Sequence, residues 1–433
     1  MKSVAPLVLA LAACEGTTGT ISLELTTAPG STVLSQVNRL RLRLTDPPID
    51  EETTKNADGS FDLSLSFDAG GEIGTLIVEG YDPTDALVAT GSSPPFQIGP
   101  TNAHVVIYVA PPMSIAASPA TLNPPRRGIS GVALPYGALF AGGLDAANVP
   151  SDAIAIYNAY DHSLAGGAAM PIKRSGLALG ASSTGAVYLI GGVGTEGPIS
   201  TILRFDTTVQ PAGAYTTLGD FPTFTSVGAA VPIGPDRFLL SGTPPGELVG
   251  GEAGPRTELA MLPPLGASVI PGDGILTALF VGETGLVRFR ADRFDTLNGP
   301  GRIRAGLTAL PSSGRFFVAG GGTATAPVRD VLVIDPASGL VETRTNMLAT
   351  ARFDPAVTAT SRYLVVAGGT TDTGDLASVE IFDAETFAPV TVLSMAAPRV
   401  SPLAFPLPNG QILFAGGAPL SGLVELFTPT PPE

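Results

Sequence analysis

Leu139-Phe140-Ala141-Gly142-Gly143 is an apolar run that stops at a pair of glycines, and it returns along the chain. Copies stand at Leu189-Ile190-Gly191-Gly192, Phe317-Val318-Ala319-Gly320-Gly321, Val365-Val366-Ala367-Gly368-Gly369 and Leu413-Phe414-Ala415-Gly416-Gly417. Two weaker copies, Leu240-Ser241-Gly242 and Phe280-Val281-Gly282, lie between them. From each first glycine to the next, the steps are 49, 51, 40, 38, 48 and 48 residues. A fixed period of this length is one supersecondary unit repeated. The short apolar run ending in glycines reads as a buried strand leaving through a tight turn.

A second signal keeps the same register. About eleven residues after the first glycine comes another strand, as in Ile154-Ala155-Ile156-Tyr157-Asn158, Ile202-Leu203-Arg204-Phe205-Asp206 and Val379-Glu380-Ile381-Phe382-Asp383. An arginine stands 15 to 17 residues before the glycine pair in five copies: Arg127, Arg174, Arg304, Arg352 and Arg399. Methionine precedes it in three of them, at Met170, Met347 and Met395. Gly-Gly, then an aromatic or apolar residue with Asp, then Met and Arg, resembles the Kelch repeat. That resemblance implies a β-propeller over residues 113–433, of about seven blades, with six the alternative count. The chain departs from the family in having no tryptophan. The last copy ends after its second strand, whereas Ser114-Ile115-Ala116-Ala117 stands unpaired before the first. That segment is expected to complete the final blade and close the ring.

Ahead of the repeats, five segments alternate apolar and polar residues: Ile21–Leu25, Leu40–Leu44, Phe61–Phe67, Thr75–Tyr81 and His104–Val109. Turn residues such as Asp58-Gly59 separate them, so they read as half-buried antiparallel strands. Residues 21–112 are therefore expected to form a β-sandwich of the immunoglobulin or fibronectin type, and the fold class is all-β throughout. Ala110-Pro111-Pro112-Met113 reads as the linker between the two units.

The first residues read as targeting signal. Lys2 is followed by a ten-residue, mostly apolar run from Val4 to Ala13, about half of the ~20 residues that span a bilayer as a helix. Leu11-Ala12-Ala13-Cys14 resembles the bacterial lipobox, which implies cleavage of residues 1–13 and diacylation of Cys14. Residues 14–20 then form a polar tether. Each buried CH₂ contributes about 0.8 kcal/mol, so two or three acyl chains hold a protein on a membrane stably. The expected location is the cell envelope, lipid-anchored; Glu15, not Asp, after the cysteine favours the outer membrane.

Composition narrows the chemistry. The 433 residues carry 38 Asp and Glu against 23 Lys and Arg, a formal charge of −15, which argues against nucleic acid or an anionic lipid surface as partner. Cys14 is the single cysteine, so a mature chain acylated there has neither disulfide nor thiolate metal site. The two histidines, His104 and His162, fall in different expected domains, and no metal site is expected. Gly192-Val193-Gly194-Thr195-Glu196-Gly197 matches G-x-G-x-x-G, but Pro198 and a strand follow it where a phosphate-binding helix would be required, so no dinucleotide or other cofactor is expected. A triad through Asp161-His162-Ser163 lacks the G-x-S-x-G elbow, and the segment reads as a polar turn. Asp372 with Asp375, and Asp82 with Asp85, lie in loops without a full calcium ligand set.

The five arginines remain the candidates for function. They either form a shared site for an anion or fasten each repeat to its neighbour, and recurrence in register favours the structural role. The expected function is a membrane-anchored, non-catalytic binding or scaffolding module for a protein or glycan ligand. The alternative is an envelope hydrolase or lyase using loop carboxylates. Acidic residues of raised proton affinity around the channel mouth would favour the enzyme, and an arginine-lined mouth would favour binding.

Overall fold

In the computed structural model the described residues are 18–68, 71–98, 103–220, 226–255, 259, 261–324 and 326–432. The expected signal segment, Cys14 and most of the expected tether lie outside them. The fold is nearly all β, and one short helix, Val33–Gln36, is present among the described residues. No helix there is long and apolar enough to cross a membrane.

Residues 18–110 build two main sheets. Thr18–Thr26 lies between Ser64–Asp68 and Ala103–Tyr108, while Arg39–Leu44 is flanked by Ile49–Thr54 and by Leu76–Tyr81, with Leu87–Ser92 beyond. The inward halves of the alternating strands, Ile21, Leu23, Leu40, Leu42, Leu65, Leu76, Val78 and Ile107, share one apolar core. One pairing differs from the antiparallel expectation. Thr18–Thr26 runs parallel to Ala103–Tyr108, with Ile21 opposite Ala103 and Leu25 opposite Ile107. Two strands, Ile49–Thr54 and Leu87–Ser92, carry no alternation strong enough to read from sequence. The first is polar because its outward carboxylates meet a row of arginines: Arg41 Nε donates to Asp50 at 2.8 Å, and Arg39 pairs with Glu52.

From residue 114 onward come seven four-stranded antiparallel sheets. The first is Ser130–Leu134, Gly137–Ala141, Ile154–Asn158 and Ser163–Gly166, and the next five repeat that order. The weak repeats form the third sheet, from Ser226–Gly234, and the fourth, from Leu265–Val269. The seventh takes three strands from the chain end, Leu403–Pro406, Ile412–Ala415 and Glu425–Thr428. Its fourth is Ser114–Ala117, paired so that Ser114 faces Thr428 and Ala117 faces Glu425. The first strand of each sheet contacts that of the next, and the first sheet contacts the seventh, so the sheets form a closed cycle.

Crowding at these first strands explains their small residues. A Cβ on Gly306 would lie 2.3 Å from Val357 Cγ2, and one on Gly266 would lie 2.5 Å from Val231 Cγ2. Glycine lets neighbouring sheets approach where the cycle is tightest. The second strands carry the bulk instead: Phe140, Leu189, Phe238, Phe280, Phe317, Val365 and Phe414 are fully buried.

The two parts meet over a bonded seam. Tyr108 and Ala110 belong to one apolar cluster with Phe140, Tyr157 and Leu413 of the cycle. Tyr160 Oη donates to Pro95 O at 3.0 Å, Ser92 Oγ to Asn409 O at 2.6 Å, and Arg43 Nη2 to Pro432 O at 2.8 Å.

Candidate functional site

Just before its first strand, each of five sheets carries a buried arginine. Arg126, Arg174, Arg352 and Arg399 are at most 1 % exposed, and Arg302 is 8 % exposed. Their common register follows from the pairing one residue later: Arg127 faces Leu144, Ser175 faces Val193, Ile303 faces Gly322, Phe353 faces Thr370 and Val400 faces Ala418. The buried set therefore contains Arg126 and Arg302, whereas the sequence pattern had selected Arg127 and Arg304. Arg127 is half-buried and Arg304 is exposed. Counting back from the glycines fails because turn lengths differ. The fifth sheet inserts the longer turn Leu310–Arg315 between its first two strands, which moves its arginine upstream.

What the buried arginines hold is clear from their bonds. Nη1 of Arg126 donates to Gly142 O at 2.7 Å and Ala153 O at 2.8 Å; Nη1 of Arg174 donates to Gly191 O and Thr201 O. Nη1 of Arg352 does the same with Gly368 O and Ser378 O. The glycine pair completes the joint. Gly369 N–H donates to Arg399 O at 2.8 Å, and Gly321 N–H to Arg352 O at 2.8 Å, tying each sheet to the next. Gly368 has φ +63, and a Cβ there would lie 2.6 Å from Arg399 O, so both conformation and space demand glycine.

Charge is balanced unevenly around the cycle. Glu380 pairs with Arg352 and accepts the Ala349 and Thr350 N–H groups; Glu425 pairs with Arg399 and accepts the Ala396 N–H. At the matching positions the first and second sheets have Ala155 and Leu203. Arg126 and Arg174 consequently each leave Nε and Nη2 buried without a partner. Burial lowers the proton affinity of all five guanidinium groups, which nonetheless remain cations.

Two residues beyond each buried arginine the backbone turns left-handed, at Gly128, Gly176, Arg304, Asp354 and Ser401, with φ between +49 and +61. These positions interlock: Asp354 N–H donates to Arg304 O at 2.7 Å, and Ser401 N–H to Asp354 O at 3.0 Å. Arg304 Nε donates to Asp354 Oδ2 at 2.8 Å and its guanidinium lies 4.6 Å from the Phe353 ring centre. Between the fourth and fifth sheets this rim opens into a cavity of about 490 Å³. Met261, Pro263, Leu265 and Val281 supply an apolar wall, and Arg302, Arg304 and Glu283 supply the charges. This cavity, drawn from three separated stretches of chain, was not visible in the sequence.

The remaining candidates lie elsewhere. His162 is buried at the seam with φ +55. Its Nε2 accepts the Tyr108 N–H at 3.2 Å and its Nδ1 lies 2.9 Å from Tyr157 Oη. An acceptor Nε2 leaves the proton on Nδ1, so the ring is neutral, and burial pushes its pKa down to about 4. His104 is exposed beside Ser22 and Glu24. Asp82 caps its own turn, accepting the Thr84 and Ala86 N–H groups. Asp375 accepts the Thr370 hydroxyl, and Gly192–Gly197 forms part of a small hairpin rather than a phosphate loop. Among the described residues no group of three or more His, Cys, Asp or Glu could hold a metal ion. No protein family matches this chain, and no curated protein matches it either.

Proposed function

We propose that residues 114–428 are a seven-bladed, Kelch-like β-propeller, that residues 18–110 are an immunoglobulin-like β-sandwich, and that the chain is a non-catalytic binding module. Acylation at Cys14 would tether it to the extracytoplasmic face of a membrane, the outer membrane being favoured. Support for the propeller comes from the closed cycle of seven sheets and from the seventh being completed by Ser114–Ala117.

The observation that carries the binding reading is the rim cavity with two arginines and a single carboxylate. Hydrolase or lyase chemistry calls for a carboxyl group kept protonated near neutral pH, by burial or by a like charge. The described carboxylates with a resolved shift, Asp50, Asp58 and Asp206 among them, all move down, held by hydrogen bonds from neighbouring hydroxyl, N–H or guanidinium groups. Donors of that kind keep a carboxylate ionised and suit positioning better than proton transfer.

Two measurements on cells test this function. A fatty-acid analogue should label the wild-type chain and leave Cys14→Ser unlabelled. A photo-crosslinking residue at Leu420, exposed near the joint of the first and seventh sheets, should capture a defined species, while one at Val392 on an outer strand should not. Label on Cys14→Ser would refute the anchor. Equal capture from both positions would refute a specific binding face.

A further inference from the structure

Arg302 breaks the plan that the other buried arginines follow. In the first, second and sixth sheets the guanidinium rests on two carbonyl oxygens, and in the sixth and seventh it meets a glutamate. Arg302 holds the same register, fixed by Ile303 facing Gly322, and its own N–H donates to Gly282 O at 2.9 Å. Among the described residues its side chain has no hydrogen-bond acceptor and no ion pair, Asp330 acting on it only through its field, although the residue is 92 % buried. None of its nitrogens is both buried and unsatisfied, so the guanidinium reaches the solvent of the cavity rather than a protein acceptor. The Arg302 side chain lines the 490 Å³ cavity, so the vacancy faces a space that another molecule can enter.

The surroundings select what that molecule is. Arg304 flanks the cavity but is engaged by Asp354, which leaves Arg302 as the cavity's guanidinium without a hydrogen-bonded carboxylate. Glu283 is exposed at the mouth, where it repels a second negative charge on the ligand. Met261, Pro263, Leu265 and Val281 offer apolar surface and no hydrogen bonds from their side chains. The volume lies within the ~300–1,000 Å³ typical of small-molecule sites. We propose that this cavity binds a monocarboxylate with an apolar body, its carboxylate on Arg302 and its hydrocarbon against those four side chains. Planar carboxylate and guanidinium match bidentately. A phosphate dianion would face Glu283 and leave the apolar wall uncovered. This assignment rests on reading the chain as a binding module and names the ligand class.

Titration calorimetry of the full chain with hexanoate, hexanol and inorganic phosphate tests it. Hexanoate should bind at one site per chain, with hexanol and phosphate at least about tenfold weaker. Arg302→Met should weaken hexanoate about tenfold to a hundredfold, the loss expected for a hydrogen-bonded charge. Because that substitution alters a buried residue, Met261→Glu serves as a second variant. Met261 is 42 % exposed, so the change spares the core while placing a like charge beside the ligand. It should weaken hexanoate by a larger factor than hexanol, because both lose the same apolar contact and only hexanoate also meets the like charge. No hexanoate binding, phosphate binding as tightly, or wild-type hexanoate affinity in both variants would overturn the proposal. Crosslinking at Leu420 reports separately: capture there without hexanoate binding removes this ligand assignment alone, hexanoate binding without capture upholds this site and removes only a second face at Leu420, and failure of both removes the binding reading with it.

Discussion

Acid should loosen the seam between the two parts of this protein through one side chain. His162 is held neutral between the Tyr108 N–H and the Tyr157 hydroxyl, and its pKa drops from 6.5 to about 4 through burial. A base whose folded pKa is depressed contributes fully above its unfolded pKa, and that contribution is lost as pH falls towards the folded value. The window is therefore about pH 6.5 down to about pH 4. At 1.36 kcal/mol per unit, the shift amounts to about 3 kcal/mol of stability lost across it. The mechanism is local: protonated Nε2 would point a hydrogen at the Tyr108 N–H, turning an accepted bond into a repulsion. His162→Asn removes the titration while keeping a residue that tolerates the left-handed φ of +55. Urea denaturation across this window should give a steeper fall for the wild type than for His162→Asn, the curves converging near pH 4. Several carboxylates also destabilise the fold in acid, so the difference between the two proteins is the readout. NMR of the two histidine rings gives the pKa directly. A His162 resonance titrating at or above about 6.5, or equal slopes in both proteins, would refute the reasoning.

Other outcomes follow from the joints between sheets. Arg352→Met should lose about 3–5 kcal/mol because it strands Glu380 as a buried charge. Arg174→Met strands no carboxylate and should lose about 1–2 kcal/mol, so equal losses in denaturant would contradict the role given to Glu380. Gly306→Ala should lose about 1–3 kcal/mol from its clash with Val357, while Gly166→Ala, with nothing within 4 Å, should be neutral or slightly stabilising by thermal melting. A chain beginning at Gly128 lacks the strand that pairs with Glu425–Thr428. It should melt well below one beginning at Ala110, having lost several of the ~5–15 kcal/mol that hold a domain together.

The parts of this fold that are legible in the sequence are those where one residue type answers one local demand. Gly142, Gly320 and Gly368 mark strand exits because both backbone angle and a close carbonyl require glycine, and Gly191 and Gly416 share the left-handed angle. Ile21, Leu40 and Leu76 mark strands because one face of each is buried. Ile49–Thr54 escaped because it is an edge strand whose side chains pair with arginines rather than pack in a core. Arg126 and Arg302 escaped because register is set by pairing across a hairpin, and a count along the chain absorbs every change in turn length. The cavity escaped for a deeper reason. Met261, Val281 and Arg302 belong to three strand entries or exits, and only the cycle brings them together.

Pairing the last strand with Ser114–Ala117 also sets an order of events during synthesis. Six sheets can assemble from neighbouring segments as the chain emerges, each hairpin finding its partner within a few dozen residues. The seventh must wait for Glu425–Thr428 and then reach back across some three hundred residues, a contact of very high sequence separation and therefore slow to form. Until that moment the growing chain is an open arc with two unpaired strand edges, available to a chaperone and vulnerable to a second arc. Glu425–Thr428 thus decide when this protein becomes a single closed object, and the segment just after them also bonds to the first domain made, through Pro432 O.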